Sequence, residues 1–296
     1  MNAPKPAGFK RPNFFVIGAE KAGTTSVCEL LSQHPEVFFS NPKEPNFFTL
    51  SFDECESLEW YESLFASAAA YKLVGEGSTT YSKHQTYPRT AQRIASYAPD
   101  AKIIYIVRSP LPRVESQWIQ RRSMSIATPR NFSVAVREDP VLLDAALYWQ
   151  NLSAYRDHFN DSQILLLFLE DMKADSHATL QSCFKFLQVD PEIALNDADR
   201  PRNPADEKRE DGSVLNVARR FPLFKKLRDR FVPHAVRRMC KPLLTKPISQ
   251  RPEWDDETRL WFLEQIATDN ACLLEYAGKP ASFWDPSAKK DSSRAA

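Results

Sequence analysis

Glycine is scarce in this chain, with seven residues in 296 against 22 prolines. Four of the seven fall in two short segments, Gly18 with Gly23 and Gly75 with Gly77, so those segments are where an unusual backbone path is expected. The five cysteines are odd in number, widely spaced and form no C-x-x-C pair. That suggests neither a zinc site nor a disulfide framework, and reduced thiols in a cytosolic protein are the plain reading. The first residues contain no apolar core of the signal-peptide type, and no apolar run approaches the roughly 18 residues of a membrane span. A dominant charge sign is missing too: 39 Lys and Arg face 38 Asp and Glu, a net of +1. This argues against a general nucleic-acid coat. The chain reads as cytoplasmic, with no membrane span and no nucleic-acid partner; oligomeric state leaves no trace in the sequence.

What is present is an ordinary globular composition, 43% hydrophobic, 26% charged and 11% aromatic, which excludes disordered and collagen-like classes. Strands are expected at 13–18 (NFFVIG), 37–40, 72–75, 102–107 (KIIYIV) and 163–168 (QILLLF). Helices are expected at 24–32, 90–97, 111–121, 140–159, 172–187 and 255–276, the last ending at Gly278 as a C-cap. Continuous apolar strands alternating with helices imply parallel βαβ units, a three-layer αβα domain around a central parallel sheet. The organisation expected is a flexible N-terminus over 1–12, a single domain over 13–285 and a disordered tail over 286–296. Binding sites in such sheets lie at the carboxyl ends of the strands.

At the end of the first strand stands Gly18-Ala19-Glu20-Lys21-Ala22-Gly23-Thr24-Thr25-Ser26. Glycine turns, free amides and a helix N-terminus form an anion cradle. Lys21 adds a charge; Thr24, Thr25 and Ser26 add hydroxyls. The G-x-x-x-x-G spacing is that of a P-loop, but Thr24 stands where a nucleotidase carries lysine. The strand ending at Val107 leads into Arg108, where a P-loop NTPase would place a metal-binding carboxylate; arginine there favours an anion, and Ser116 can donate to the same group. Residues 200–250 carry fourteen basic side chains against five acidic ones, which suits either a solvated basic face or attraction of an anionic ligand.

The two motifs together, 21–26 and 108–116, resemble the PAPS-dependent sulfotransferases, with a closer likeness to the heparan-sulfate and bacterial carbohydrate branch. The likeness continues through Lys43-Glu44-Pro45-Asn46-Phe47-Phe48, Gly75-Glu76-Gly77-Ser78 and Glu170-Asp171 to the segment 278–284. The resemblance implies a P-loop-like sulfotransferase fold, PAPS as sulfuryl donor with PAP as product, no required metal, and a small-molecule or glycan acceptor. By the same resemblance Lys21, Ala22, Gly23, Thr24, Thr25 and Ser26 hold the 5′-phosphosulfate. Arg108 and Ser116 hold the 3′-phosphate, with Arg202, Lys208 and Arg209 as candidates to cover it. Lys21 stabilises charge on the bridging oxygen, Glu44 is the general base, and Lys43 is a second donor to the sulfuryl oxygens.

Alternatives stay open on the residues. Glu44 can equally be a solvated loop carboxylate paired with Lys43. His34 suits a helix-end cap and His84 is a weaker base. Phe48 and Trp118 suit either sugar stacking or the core, whereas Phe47 suits the core. Relatives often carry lysine at the place of Gly77. Two rival functions follow: a P-loop kinase or NTPase using Glu170 and Asp171 for a metal, and a non-catalytic nucleotide- or anionic-glycan-binding module on the same scaffold.

Overall fold

Five strands are built from the apolar runs: β1 (Phe14–Gly18), β2 (Val37–Phe39), β3 (Leu73–Gly77), β4 (Lys102–Val107) and β5 (Ile164–Phe168). They form one all-parallel sheet in the order β2-β3-β1-β4-β5. Every residue of β1 and β3 is buried, as expected for a parallel sheet covered on both faces. The computed structural model describes residues 8–49, 57–124, 126–193, 195, 209–211, 245–247 and 251–285.

The helices in chain order are α1 (Thr24–Leu31), α2 (Leu58–Ser63), α3 (Thr90–Tyr97), α4 (Pro110–Ser123), α5 (Phe132–Glu138), α6 (Pro140–Asp144), α7 (Tyr148–Arg156), α8 (Leu169–Ala174), α9 (Ser176–Leu187) and α10 (Asp256–Tyr276). Two compact units result. The larger comprises Met1–Arg113, Leu143–Arg202 and Leu263–Ala296, and the smaller comprises Val114–Leu142 and Asn203–Phe262. The larger contains the sheet and its core. Its neighbours across β1 create the switch point: the chain leaves β1 towards β2 and β3 on one side and returns through β4 on the other. Binding crevices form at such a point, at the strand carboxyl ends.

The smaller unit has its own aromatic cluster. Trp118 lies 5.6 Å from Phe132, Phe132 lies 4.9 Å from Trp254, and Trp254 lies 5.3 Å from Phe262. Arg121 and Asp139 form a 2.8 Å ion pair within it. A short antiparallel pair, β6 (Arg209–Asp211) with β7 (Thr245–Pro247), also falls here.

Three expectations are corrected. The single helix at 140–159 is two, α6 and α7. The break falls at 145–147, between Asp144 at the end of α6 and Asn151 inside α7, whose side chains take loop amides. Asp144 accepts from the amides of Gln85 and Thr86, and Asn151 accepts from the amide of His84 while donating to the Asp144 carbonyl. The carboxylate of Asp269, 120 residues on, then caps α7 by accepting from the Trp149 and Gln150 amides. Helix 172–187 likewise begins earlier and is broken at Asp175, whose side chain accepts from the Ala178 amide as an N-cap. The stretch between the helices expected at 111–121 and 140–159, where no element is expected, contains α5, capped by Asn131 through the Val134 amide at 3.0 Å.

Candidate active site

The loop after β1 is pinned on both sides. Ser78 donates its amide to the Val16 carbonyl at 3.1 Å, and Ala19 donates to the Ile106 carbonyl at 2.6 Å. Gly18 has φ 145, and a Cβ there would lie 2.0 Å from the Ser82 hydroxyl oxygen, so glycine is required. Gly23, at φ 93, is the N-cap of α1 and no side chain caps that helix end. The first-turn amides of a helix have no intrahelical acceptor. With no acidic residue in this turn, those at Thr24, Thr25 and Ser26 form an anion-attracting end. Lys21 holds a left-handed φ of 68, a conformation that costs energy for a non-glycine residue and is typical of functional loops. The Arg108 guanidinium, at the end of β4, donates to the Lys21 carbonyl at 3.1 Å. Both residues are half-buried.

A second segment, 41–49, meets this loop. Lys43 Nζ donates to the Thr25 hydroxyl and to Glu44 Oε1, each at 3.1 Å. Thr79 donates to the other Glu44 oxygen at 3.4 Å. The Lys43 and Glu44 side chains are 32% and 35% exposed, so the pair is open to an incoming molecule. Glu44 and Asn46 also sit in the left-handed region, at φ 61 and 54. Lys21, Thr25, Lys43, Glu44 and Arg108 are thus brought together at the carboxyl ends of β1, β3 and β4.

The other expected residues fall out differently. Ser116 lies half-buried on α4 in the smaller unit. Arg202 and Lys208 lie outside the described residues, and Arg209 begins β6. His34 is a buried structural residue: its Nδ1 accepts from the Glu36 amide and its Nε2 faces the Asp190 carbonyl. Phe48 and Trp118 are core, 4% and 0% exposed, which removes them as sugar platforms; Phe47 is core as expected. Glu170 accepts from the Ser109 amide at 2.9 Å, whereas Asp171 pairs with Lys279 at 2.7 Å, so the two carboxylates serve separate partners.

Two features escaped the sequence reading. Glu20, inside the anion loop, pairs with Lys83 at 2.7 Å, with side-chain exposures of 17% and 8%. An acidic residue in a cationic loop was the available signal. The second is Glu76, fully buried in β3. Its Oε1 accepts from the hydroxyls of Tyr61 and Tyr81, both at 2.8 Å, and its Oε2 from Ser78 at 2.9 Å. Burial pushes its carboxyl up to about 7, against the pull of the three hydroxyl hydrogen bonds. A charged residue between two glycines in an apolar strand was the sequence signal here. Gly77 is set by packing: a Cβ would lie 2.7 Å from the sulfur of Cys28 on α1.

The sequence profile described as "Sulfotransferase domain" matches residues 11–207. The chain belongs to the sulfotransferase family. It is similar to a mouse protein, heparan sulfate glucosamine 3-O-sulfotransferase 6. The two are 29% identical over 180 residues, covering 58% of this chain and 51% of the relative. A human relative, bifunctional heparan sulfate N-deacetylase/N-sulfotransferase 2, is 26% identical over 199 residues, covering 61% of this chain and 22% of its own length. The chain therefore spans about half or less of the curated relatives it matches. A solved sulfotransferase from Alicyclobacillus acidocaldarius superposes with a TM-score of 0.66 at 23% identity, over 93% of this chain and 99% of that one. This establishes the sulfotransferase fold. Among the described residues, no helix is long and apolar enough to cross a membrane.

Proposed function

We propose that this chain transfers a sulfuryl group from PAPS to a hydroxyl or amine of a carbohydrate. The observation that carries the reading is Lys43, whose ammonium touches the Thr25 hydroxyl of the anion loop and the Glu44 carboxylate together. One cation thus joins a place for a phosphosulfate to a place for a base. The uncapped α1 amides and the hydroxyls of Thr24, Thr25 and Ser26 suit the anionic oxygens of the donor. Arg108 suits its 3′-phosphate. By sequence likeness alone, Ser116, Arg202, Lys208 and Arg209 belong to the same donor set. The relatives are named for O- and N-sulfation of heparan sulfate, which favours a glycan acceptor.

In this reading Glu44 accepts the proton of the acceptor as its oxygen or nitrogen forms a bond to sulfur. The bond from sulfur to the bridging phosphate oxygen breaks in line, and PAP leaves with the electron pair. Lys21 and the loop amides stabilise the charge that develops on that oxygen, the kind of preorganised electrostatic contribution that dominates many active sites. A positioned base adds about 10²–10⁴-fold. Lys43 holds the departing sulfuryl oxygens. The chemistry calls for no metal, because the leaving group's charge meets lysine and amides.

A cytoplasmic setting is part of the proposal, on the odd number and wide spacing of the five cysteines; cell fractionation checks it. The central test is calorimetric titration of PAP into the wild type and Arg108→Ala, with ATP–Mg²⁺ for comparison. The expected result is selective PAP binding that weakens about 10- to 100-fold in the variant, the loss of a charge-assisted contact. No PAP binding, or preference for ATP–Mg²⁺, overturns the reading.

A further inference from the structure

Glu76 is 0% exposed and is the penultimate residue of β3. Its bonding pattern nevertheless reaches the segment that carries Glu44 by two routes. Above about pH 7, where Glu76 is ionised, its carboxylate only accepts hydrogen bonds. The protons of Ser78 and Tyr81 are therefore committed to Glu76, at 2.9 and 2.8 Å, and the hydroxyl oxygens keep lone pairs for other donors. The Ser78 oxygen accepts the Asn46 amide at 3.1 Å, and the Tyr81 oxygen accepts the Phe48 amide at 3.4 Å. The Tyr61 hydroxyl is the third donor to Glu76, and its ring stacks on Phe47 with centroids 4.4 Å apart.

The segment needs such support. Glu44 and Asn46 both have left-handed φ values, each unfavourable for a residue with a side chain. From Asn46 the network continues outwards. Its side-chain amide donates to the Glu44 carbonyl at 2.7 Å and its side-chain oxygen accepts from Thr80 at 2.5 Å. The titratable groups felt across this cluster are Glu44, Tyr61, Tyr81, Tyr155 and Cys28. A buried carboxylate is costly compared with an apolar side chain of similar size. Here it orients two hydroxyls so that each receives a backbone N–H.

We infer that Glu76 is a positioning residue that fixes the loop carrying Glu44, through the Ser78 hydroxyl on the Asn46 amide and the Tyr81 hydroxyl on the Phe48 amide. The catalytic consequence rests on Glu44 being the base, as proposed above; the positioning itself does not.

The test uses the full chain as wild type, Ser78→Ala, Glu76→Gln and, as a remote destabilised control, Asp269→Asn. Hydrogen exchange is followed by mass spectrometry on peptides covering 43–49 and 103–107. In the same proteins PAP affinity is measured by calorimetry, and transfer of labelled sulfuryl from PAPS to desulfated heparan sulfate is assayed. Ser78→Ala is expected to speed exchange in 43–49 about tenfold, as for one lost hydrogen bond, with 103–107 unchanged and PAP affinity within about twofold. Turnover should fall about tenfold at unchanged KM for PAPS. Glu76→Gln should act in the same direction; if it does not fold, Ser78→Ala decides. Unchanged exchange at 43–49 in the variants that fold overturns the inference, as does an equal rise at 103–107 or in Asp269→Asn. A wild type that transfers nothing to the glycan overturns the functional reading instead, and the exchange data still decide the positioning.

Discussion

Glu76→Gln should change how stability depends on pH, in a direction and by an amount set by the structure. In the folded chain the Glu76 carboxyl ionises at about 7 because it is buried, whereas its ordinary value is 4.5. Between those two values the unfolded chain has released a proton that the folded chain keeps. Folding stability must then fall as pH rises through the window, by linkage. The penalty is absent below about pH 4.5 and complete above about pH 7. Each pH unit of the window is worth about 1.4 kcal/mol, so the whole is worth about 3 kcal/mol. Glutamine has no proton to lose, and the contribution disappears in the variant. Urea unfolding at intervals from pH 5 to pH 8, wild type against variant, reads the difference directly. Other groups with raised values, such as Asp269 at about 6, are present in both proteins and cancel. The variant should gain on the wild type by about 2–3 kcal/mol between pH 5 and pH 8, whatever hydrogen-bond energy it loses at every pH. Parallel profiles would refute the reasoning, since they would mean that Glu76 ionises alike in both states.

Three further outcomes are expected. Gly77→Lys puts a Cβ 2.7 Å from the Cys28 sulfur and should cost about 1–3 kcal/mol in urea unfolding through overpacking; adding Cys28→Ala should return most of it. Lys83→Met removes the buried ammonium that meets the Glu20 carboxylate at 2.7 Å, so stability should fall by about 1–3 kcal/mol, the loss of a charged hydrogen-bond partner, and PAP affinity should weaken; Glu20→Gln in the same chain should restore part of both, as read by unfolding and calorimetry. Burial pushes the Cys28 and Cys183 thiols up to about 12, and the thiolate is the reactive form. Both should therefore resist iodoacetamide in the native protein at pH 8 and react on unfolding, as peptide mass mapping would show; labelling of the native chain at Cys28 would contradict its packing.

The apolar runs of β1, β4 and β5 were legible because a strand buried on both faces needs no partner's information to be recognised. The same holds for Gly18 and Gly23, whose backbone conformations almost only glycine adopts freely. The start of α1 at Gly23 and the end of α10 near Gly278 follow from local signals of the same sort. The break between α6 and α7 was not legible, since it depends on Asp269 capping amides 120 residues earlier. Nor was the burial of Phe48 and Trp118, because an aromatic residue near a cleft and one in a core look alike until their neighbours are placed.

The sequence by itself thus determined the alternating α/β plan and the glycine-turned path of residues 18–23, both of which rest on short-range periodicity and backbone preference. Tertiary structure alone decided that Lys43 reaches Thr25, that Lys83 neutralises Glu20, and that Tyr61 reaches Glu76. These contacts join residues from different elements of the fold. Charge and hydrogen-bond energies act over a few ångströms in space, and which groups come that close is set by the order in which the strands pair.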